Sequence, residues 1–277
     1  MNADTAPAVA EQQLGSFAKR TLSALVLAPI AIAAIWLGYP FFNLLVIVGG
    51  AILSWEWGRL CNSGHFDRSG VTLLVVVLVS ALIASYSSSR DGVIAALLGA
   101  LLVYGIANID RAVNPGWVAS GAIYLGIPSA ALLWIRNQTG AFAVLWLFAA
   151  VWATDIGAYL VGRLIGGPRL APRLSPNKTW AGLLGGIAAA VILSLIFAFA
   201  LGTEPGRLAW LGVVVALFAQ SGDLIESAIK RRFNVKDMSG IIPGHGGLFD
   251  RVDSLLVVAP IMVLVQLFSG GEALAWL

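Results

Sequence analysis

The chain has 277 residues, of which 59% are hydrophobic and 11% charged, and its net charge is +3. A mean hydropathy of +0.88 excludes a soluble globular domain, in which about 25% of residues carry charge, and a disordered chain, which would be polar. The single cysteine, Cys61, leaves no internal disulfide framework, and two histidines do not suffice for a His-rich metal site.

What remains is an all-α, polytopic integral membrane protein. A spanning helix needs about 20 mostly apolar residues. Nine such stretches are predicted, at roughly 22–38, 41–57, 71–87, 93–108, 117–135, 141–162, 180–202, 208–229 and 253–270. The runs are long and continuous, without the alternation of a membrane β-barrel. The first is not read as a cleaved signal peptide, because Trp36, Tyr39, Pro40 and Phe41 lead straight into the second. Residues 1–20 are expected to form a mobile cytoplasmic tail and 21–277 a single membrane domain, with its catalytic part at about 150–255.

The cations set the orientation. With the N-terminus in the cytoplasm, fourteen of the 17 Lys and Arg residues fall on the cytoplasmic side. Only Arg90, Arg136 and Arg207 fall outside. The nine-span count and the cytoplasmic N-terminus therefore support each other.

Two cytoplasmic segments, about 163–179 and 230–252, are longer than the other loops and rich in Arg, Lys, Gly and Pro. Carboxylates flank both: Asp155 before the first, Asp223 and Glu226 before the second, Asp250 and Asp253 after it. A charge inside a span costs at least a few kcal/mol, so it persists where a cavity, a partner or an ion offsets it. The plainer alternative is a buried ion pair with a nearby Arg or Lys.

Asp250 and Asp253 are three apart, on one face of a helix. Two such carboxylates repel unless a cation neutralises them. Mg²⁺ commonly takes one or two carboxylates together with substrate phosphates. Asp223, near the inner end of the eighth span in Gln220-Ser-Gly-Asp-Leu-Ile-Glu226, is positioned to join them from a neighbouring helix. The predicted metal ligands are therefore Asp223, Asp250 and Asp253.

The loop between them carries Lys230, Arg231 and Lys236 for polyphosphate charge, and glycines that let backbone N–H groups approach a phosphate. His245, between Gly244 and Gly246, is either a turn residue or an acid–base group. In the other loop, Ser175-Pro-Asn-Lys-Thr179 offers two hydroxyls and Lys178 to a phosphate. It is no Walker loop, because Asn177 rather than Gly precedes Lys178. The residues thus describe a metal-dependent site for a phosphate-rich soluble substrate at a membrane interface, with a lipid as second substrate. Phosphoryl or nucleotidyl transfer follows from that combination.

The stretch from Ser227 through Lys230-Arg231, Lys236-Asp237, Pro243-Gly-His-Gly-Gly247 and Asp250-Arg-Val-Asp253 closely resembles the hallmark of the phosphatidate cytidylyltransferases, the CDP-diacylglycerol synthases. Asp155-Ile-Gly-Ala-Tyr159 and the Ser-Pro-x-Lys-Thr element match as well. Asn177 and Ala181 depart from residues common in the family. The resemblance implies the reaction of CTP with phosphatidic acid to give CDP-diacylglycerol and pyrophosphate. It implies dependence on Mg²⁺, with K⁺ a candidate second cation, and supports Asp223, Asp250 and Asp253 as ligands. Lys230, Arg231, Lys236, Asp237, His245 and Ser175 to Thr179 become candidate CTP or phosphate contacts, with Lys230 and His245 placed in the catalytic set. Gly246, Gly247, Arg251 and Asp155, within the matching elements, are candidate substrate contacts too. The expected setting is a bacterial inner membrane with the site facing the cytoplasm, membrane lipid around it and no nucleic-acid partner. A homodimer is compatible with the resemblance but not established by the sequence.

Two other functions fit parts of this pattern. A CTP-dependent enzyme acting on a polyprenol or another lipid phosphate suits the loop chemistry, but His-Gly-Gly-x-x-Asp-Arg-x-Asp favours the phosphatidate enzymes. An ion-coupled secondary transporter relaying through Asp155, Asp223 and Glu226 lacks repeated halves and has its carboxylates on one side.

Overall fold

The computed structural model describes residues 25–242, 244, 246–271 and 273–274. The predicted N-terminal tail therefore lies outside the described residues. The helices are α1 (Leu25–Leu37), α2 (Phe41–Cys61), α3 (Arg68–Tyr86), α4 (Ser89–Ile109), α5 (Pro115–Thr139), α6 (Ala141–Ile165), α7 (Trp180–Leu201), α8 (Pro205–Arg232) and α9 (Phe249–Phe268). From α2 onward all eight are long and apolar enough to cross a membrane, while the described part of α1 is shorter. Each coincides with a predicted span, and the all-α membrane architecture holds. Several helices run a turn further than hydropathy predicts. The α8 helix continues past the predicted end at 229 through Lys230 to Arg232, and α9 starts at Phe249 rather than 253. Hydropathy ends a span at the first charges, whereas backbone hydrogen bonds continue until a capping or turn residue stops them.

One element was not anticipated. Between α6 and α7 the chain forms a two-stranded antiparallel ribbon, β1 (Arg169–Ala171) and β2 (Ser175–Thr179), with Arg169 opposite Thr179 and Ala171 opposite Ser175. Thr179 ends the ribbon and caps α7, its hydroxyl accepting from the Gly182 amide at 3.0 Å.

The outward faces are apolar, with Leu98, Leu101, Ile192 and Phe199 among the exposed side chains, as helices facing lipid require. Inside, two apolar clusters divide the bundle along its length. One gathers Phe42, Leu133, Trp146, Leu147 and Met262; the other, nearer the ribbon, gathers Trp57, Leu73, Leu125 and Phe249. Helices α6 and α7 touch backbone to backbone. A Cβ added at Gly157 would lie 2.6 Å from the Gly185 carbonyl oxygen. Such contact is the membrane substitute for hydrophobic association, which lipid does not supply. The same device joins α8 to α9, where a Cβ at Gly222 would lie 2.8 Å from Ser254 Cα and 2.9 Å from the Asp253 carbonyl oxygen. That crossing brings the last two helices together beside their charged residues.

Candidate active site

The charged residues collect at the end of the bundle that bears the ribbon and the 233–248 connection. A cavity of about 700 Å³ opens there. Asp155, Tyr159 and Arg163 of α6 line one wall, Ser175, Lys178 and Thr179 of β2 another, and Gln220 and Asp223 of α8 a third. The ribbon folds Lys178 over the cavity so that its ammonium group pairs with the Asp223 carboxylate. Both side chains are about a fifth exposed, so the pair is neither a surface bridge nor sealed from solvent. Asp155 sits in the same field, close to Asp223, Lys178 and Arg251.

Asp223 is also the link to α9. Its other oxygen accepts from the Ser254 hydroxyl at 3.0 Å, a contact permitted by the side-chain-free crossing at Gly222. The buried Asp253 carboxyl faces Asp223, with Glu226 nearby. The predicted juxtaposition of Asp223 with the α9 aspartates is therefore present for Asp253.

Asp250 has different company. Lys230 bridges Glu226 at 2.6 Å and Asp250 at 2.7 Å. The second Asp250 oxygen accepts from the amides of Gly247 at 2.8 Å and Met238 at 3.2 Å. Asp250 thus fastens both ends of the loop to α9. The Gly247 amide, expected to face a phosphate, is occupied internally. Arg231, on the last turn of α8, and Lys236 and Asp237, on the loop, are exposed and lie outside the lining of the cavity. Arg251 lies on the first turn of α9, and His245 lies outside the described residues.

One buried carboxylate at this end of the bundle went unpredicted. Glu56, in the middle of Trp55-Glu-Trp57 on α2, is fully buried. It accepts from the Ser239 hydroxyl at 2.5 Å and from the amides of Leu248 at 2.9 Å and Phe249 at 2.8 Å. The signal was present, since Glu56 is a carboxylate within an apolar span, like Asp155. It stands apart in sequence from the two basic loops, and no local spacing connects it to them. Trp57, Tyr124 and Phe249 pack with ring centroids 5.4 to 5.9 Å apart, tying α2 and α5 to the start of α9.

The oxygen donors suit a hard cation in part. Among the described residues no three His, Cys, Asp or Glu side chains form a ligating group as arranged, and lysine ammonium groups pair with Asp223 and Asp250. Asp223, which lines the cavity, and the buried Asp253 nevertheless present facing carboxylates. A pair of this kind completed by substrate phosphates is the usual environment of Mg²⁺.

Comparison with known sequences decides the family. A profile of the cytidylyltransferase family matches residues 18–268. The chain belongs to the cytidylyltransferase family. Curated relatives named phosphatidate cytidylyltransferase include that of Brucella suis biovar 1, 37% identical over 88% of this chain and 91% of its own length. That of Bacillus subtilis is 34% identical over 91% of this chain and 98% of its own, and that of Haemophilus influenzae 32% over 87% and 96%. The family match extends well beyond the motif region and spans all the helices from α2 to α9.

Proposed function

We propose that this chain is a phosphatidate cytidylyltransferase. It transfers CMP from CTP to phosphatidic acid, giving CDP-diacylglycerol and pyrophosphate for phospholipid synthesis. A phosphate oxygen of the lipid bonds to the α-phosphorus of CTP, the bond from that phosphorus to the bridging oxygen breaks, and pyrophosphate leaves with the electron pair. The lipid phosphate is already anionic at neutral pH, so no strong general base is required. Charge neutralisation and alignment carry the catalysis.

The observation that carries this reading is the junction of three separate motifs. The Ser175–Thr179 ribbon and Asp223 on α8 line one cavity at the end of a membrane bundle, and Asp223 in turn meets Ser254 and Asp253 of α9 behind it. In this reading Lys178, Ser175 and Thr179 contact CTP phosphates and Asp155 borders the same pocket. Lys230 sets the charge balance of the Glu226 and Asp250 carboxylates. Asp223 and Asp253 would hold Mg²⁺, which would supply positive charge to the triphosphate. Asp250 joins them only by exchanging Lys230 or the Gly247 amide for the metal. Arg231 and Lys236 draw the nucleotide in from the aqueous side. The fourteen-to-three distribution of cations supports a cytoplasmic site in a bacterial inner membrane.

The test is pyrophosphate release by purified protein supplied with CTP, phosphatidic acid and Mg²⁺, using CTP labelled in the base. Label in the lipid product together with stoichiometric pyrophosphate supports cytidylyl transfer. Label absent from the lipid excludes it, and unlabelled phosphorylated lipid formed with release of labelled CDP indicates a phosphoryl-transferring lipid kinase.

A further inference from the structure

Helix α9 begins without a cap of its own. The residue at its N-cap position is Leu248, and no side chain within the local sequence accepts a hydrogen bond from its first turn at that position. The first amides of a helix have no intrahelical acceptors, and when buried they need partners from elsewhere. Here the partner comes from another helix. Glu56 on α2 presents both carboxylate oxygens to this end, one to the Leu248 amide and the Ser239 hydroxyl, the other to the Phe249 amide. The space is closed as well: a Cβ at Gly247 would lie 2.5 Å from a Glu56 oxygen. The carboxylate occupies the place where a helix N-terminus would otherwise attract a free anion. Its charge is stabilised by three donors and by the positive end of the α9 dipole.

We propose that Glu56 is a positioning residue for the transfer reaction, acting through the Ser239–Phe249 segment to fix the first turn of α9. Asp250 and Asp253 lie on the first two turns of that helix, so their placement against Lys230 and Asp223 depends on where the helix starts. Glutamine cannot replace glutamate here. The amide side chain has one acceptor oxygen, and its NH₂ group would face one of the donors whichever way it turned. The proposal rests on the function given above for what turnover measures, but its structural half does not.

The experiment compares wild type with Glu56→Gln by two readouts in nanodiscs. Amide hydrogen exchange at Leu248 and Phe249 is expected to speed up by about tenfold or more in the variant, the loss of one well-made hydrogen bond, while α3 and α4 exchange as in wild type. Turnover is expected to fall by about a hundredfold, the effect of an ångström-scale misplacement, with KM for CTP little changed. Unchanged exchange and turnover overturn the proposal. So does exchange that rises uniformly over all helices while activity tracks the folded fraction, because that pattern marks a residue needed for stability alone. Where Glu56→Gln cannot be purified folded, Glu56→Asp carries the same test. It keeps the charge but is one methylene short, and the proposal requires the same localised pattern at smaller amplitude. Wild-type or uniform behaviour of that variant overturns it. A wild-type protein that makes no pyrophosphate from CTP and phosphatidic acid defeats the proposed function, and the exchange readout still decides the part played by Glu56.

Discussion

Replacing Gly222 by alanine adds one methyl group where α8 crosses α9. The new Cβ would lie 2.8 Å from Ser254 Cα and 2.9 Å from the Asp253 carbonyl oxygen, both backbone atoms. Carbon atoms settle at about 3.5–4.0 Å, so the helices must part by about 1 Å. The movement falls on Asp253 and on the Ser254 hydroxyl that Asp223 accepts from. A misplacement of that size costs about a hundredfold in rate, or about 2.7 kcal/mol of transition-state stabilisation. Overpacking lowers stability by about 1–3 kcal/mol, partly offset by the better helix propensity of alanine. Gly49→Ala is the matched control, because a Cβ there meets nothing within 4 Å. Turnover in the pyrophosphate assay should collapse for Gly222→Ala and stay at the wild-type level for Gly49→Ala, with both proteins extracted in similar yield. Near wild-type turnover in Gly222→Ala refutes the claim that the α8–α9 crossing sets the geometry of the aspartates.

Other outcomes follow from the same contacts. Asp223→Asn removes the partner of Lys178 and one of the facing carboxylates, and should abolish labelled lipid product while the protein still inserts; activity near wild type would contradict the site. Lys230→Met leaves Glu226 and Asp250 side by side without their bridging cation. Breaking a buried pair in this way costs about 3–5 kcal/mol, and because these side chains are partly solvent-accessible the loss in chemical-denaturation measurements should fall toward the lower end. Arg136→Ala removes donors to the Ile35 carbonyl at 2.7 Å and the Trp36 carbonyl at 3.2 Å, far from the cavity. It should lower thermal stability by about 1.5–3 kcal/mol per charged hydrogen bond at most and leave KM for CTP unchanged.

The positions of the spans were legible because lipid contact leaves apolar runs that nothing else in a protein needs. Their ends were less so: Lys230 to Arg232 and Phe249 to Val252 read as loop and are helix, since polar side chains at an interface do not interrupt backbone hydrogen bonding. The ribbon at Arg169–Thr179 was illegible because its strands are short and contain Pro176. The carboxylates grouped by their nearness to basic loops do come together in part: Asp223 meets Asp253 and lies close to Asp155. The division of labour between Asp253 and Asp250 was out of reach, because it depends on which way Lys230 turns. Glu56 was missed for a related reason. Its partners lie more than 180 residues away, and only the packing of α2 beside the start of α9 makes it part of the site.

The central claim is that the carboxylates of Asp223 and Asp253, delivered by adjacent helices, form the cation seat for the nucleotide triphosphate. The direct measurement is anomalous diffraction from crystals grown with Mn²⁺ and CTP. The account predicts a manganese peak in contact with both carboxylates and with phosphate oxygens, with Lys178 drawn from Asp223 toward the triphosphate. A peak elsewhere in the cavity, with the Lys178–Asp223 pair intact and Asp253 uncoordinated, contradicts it.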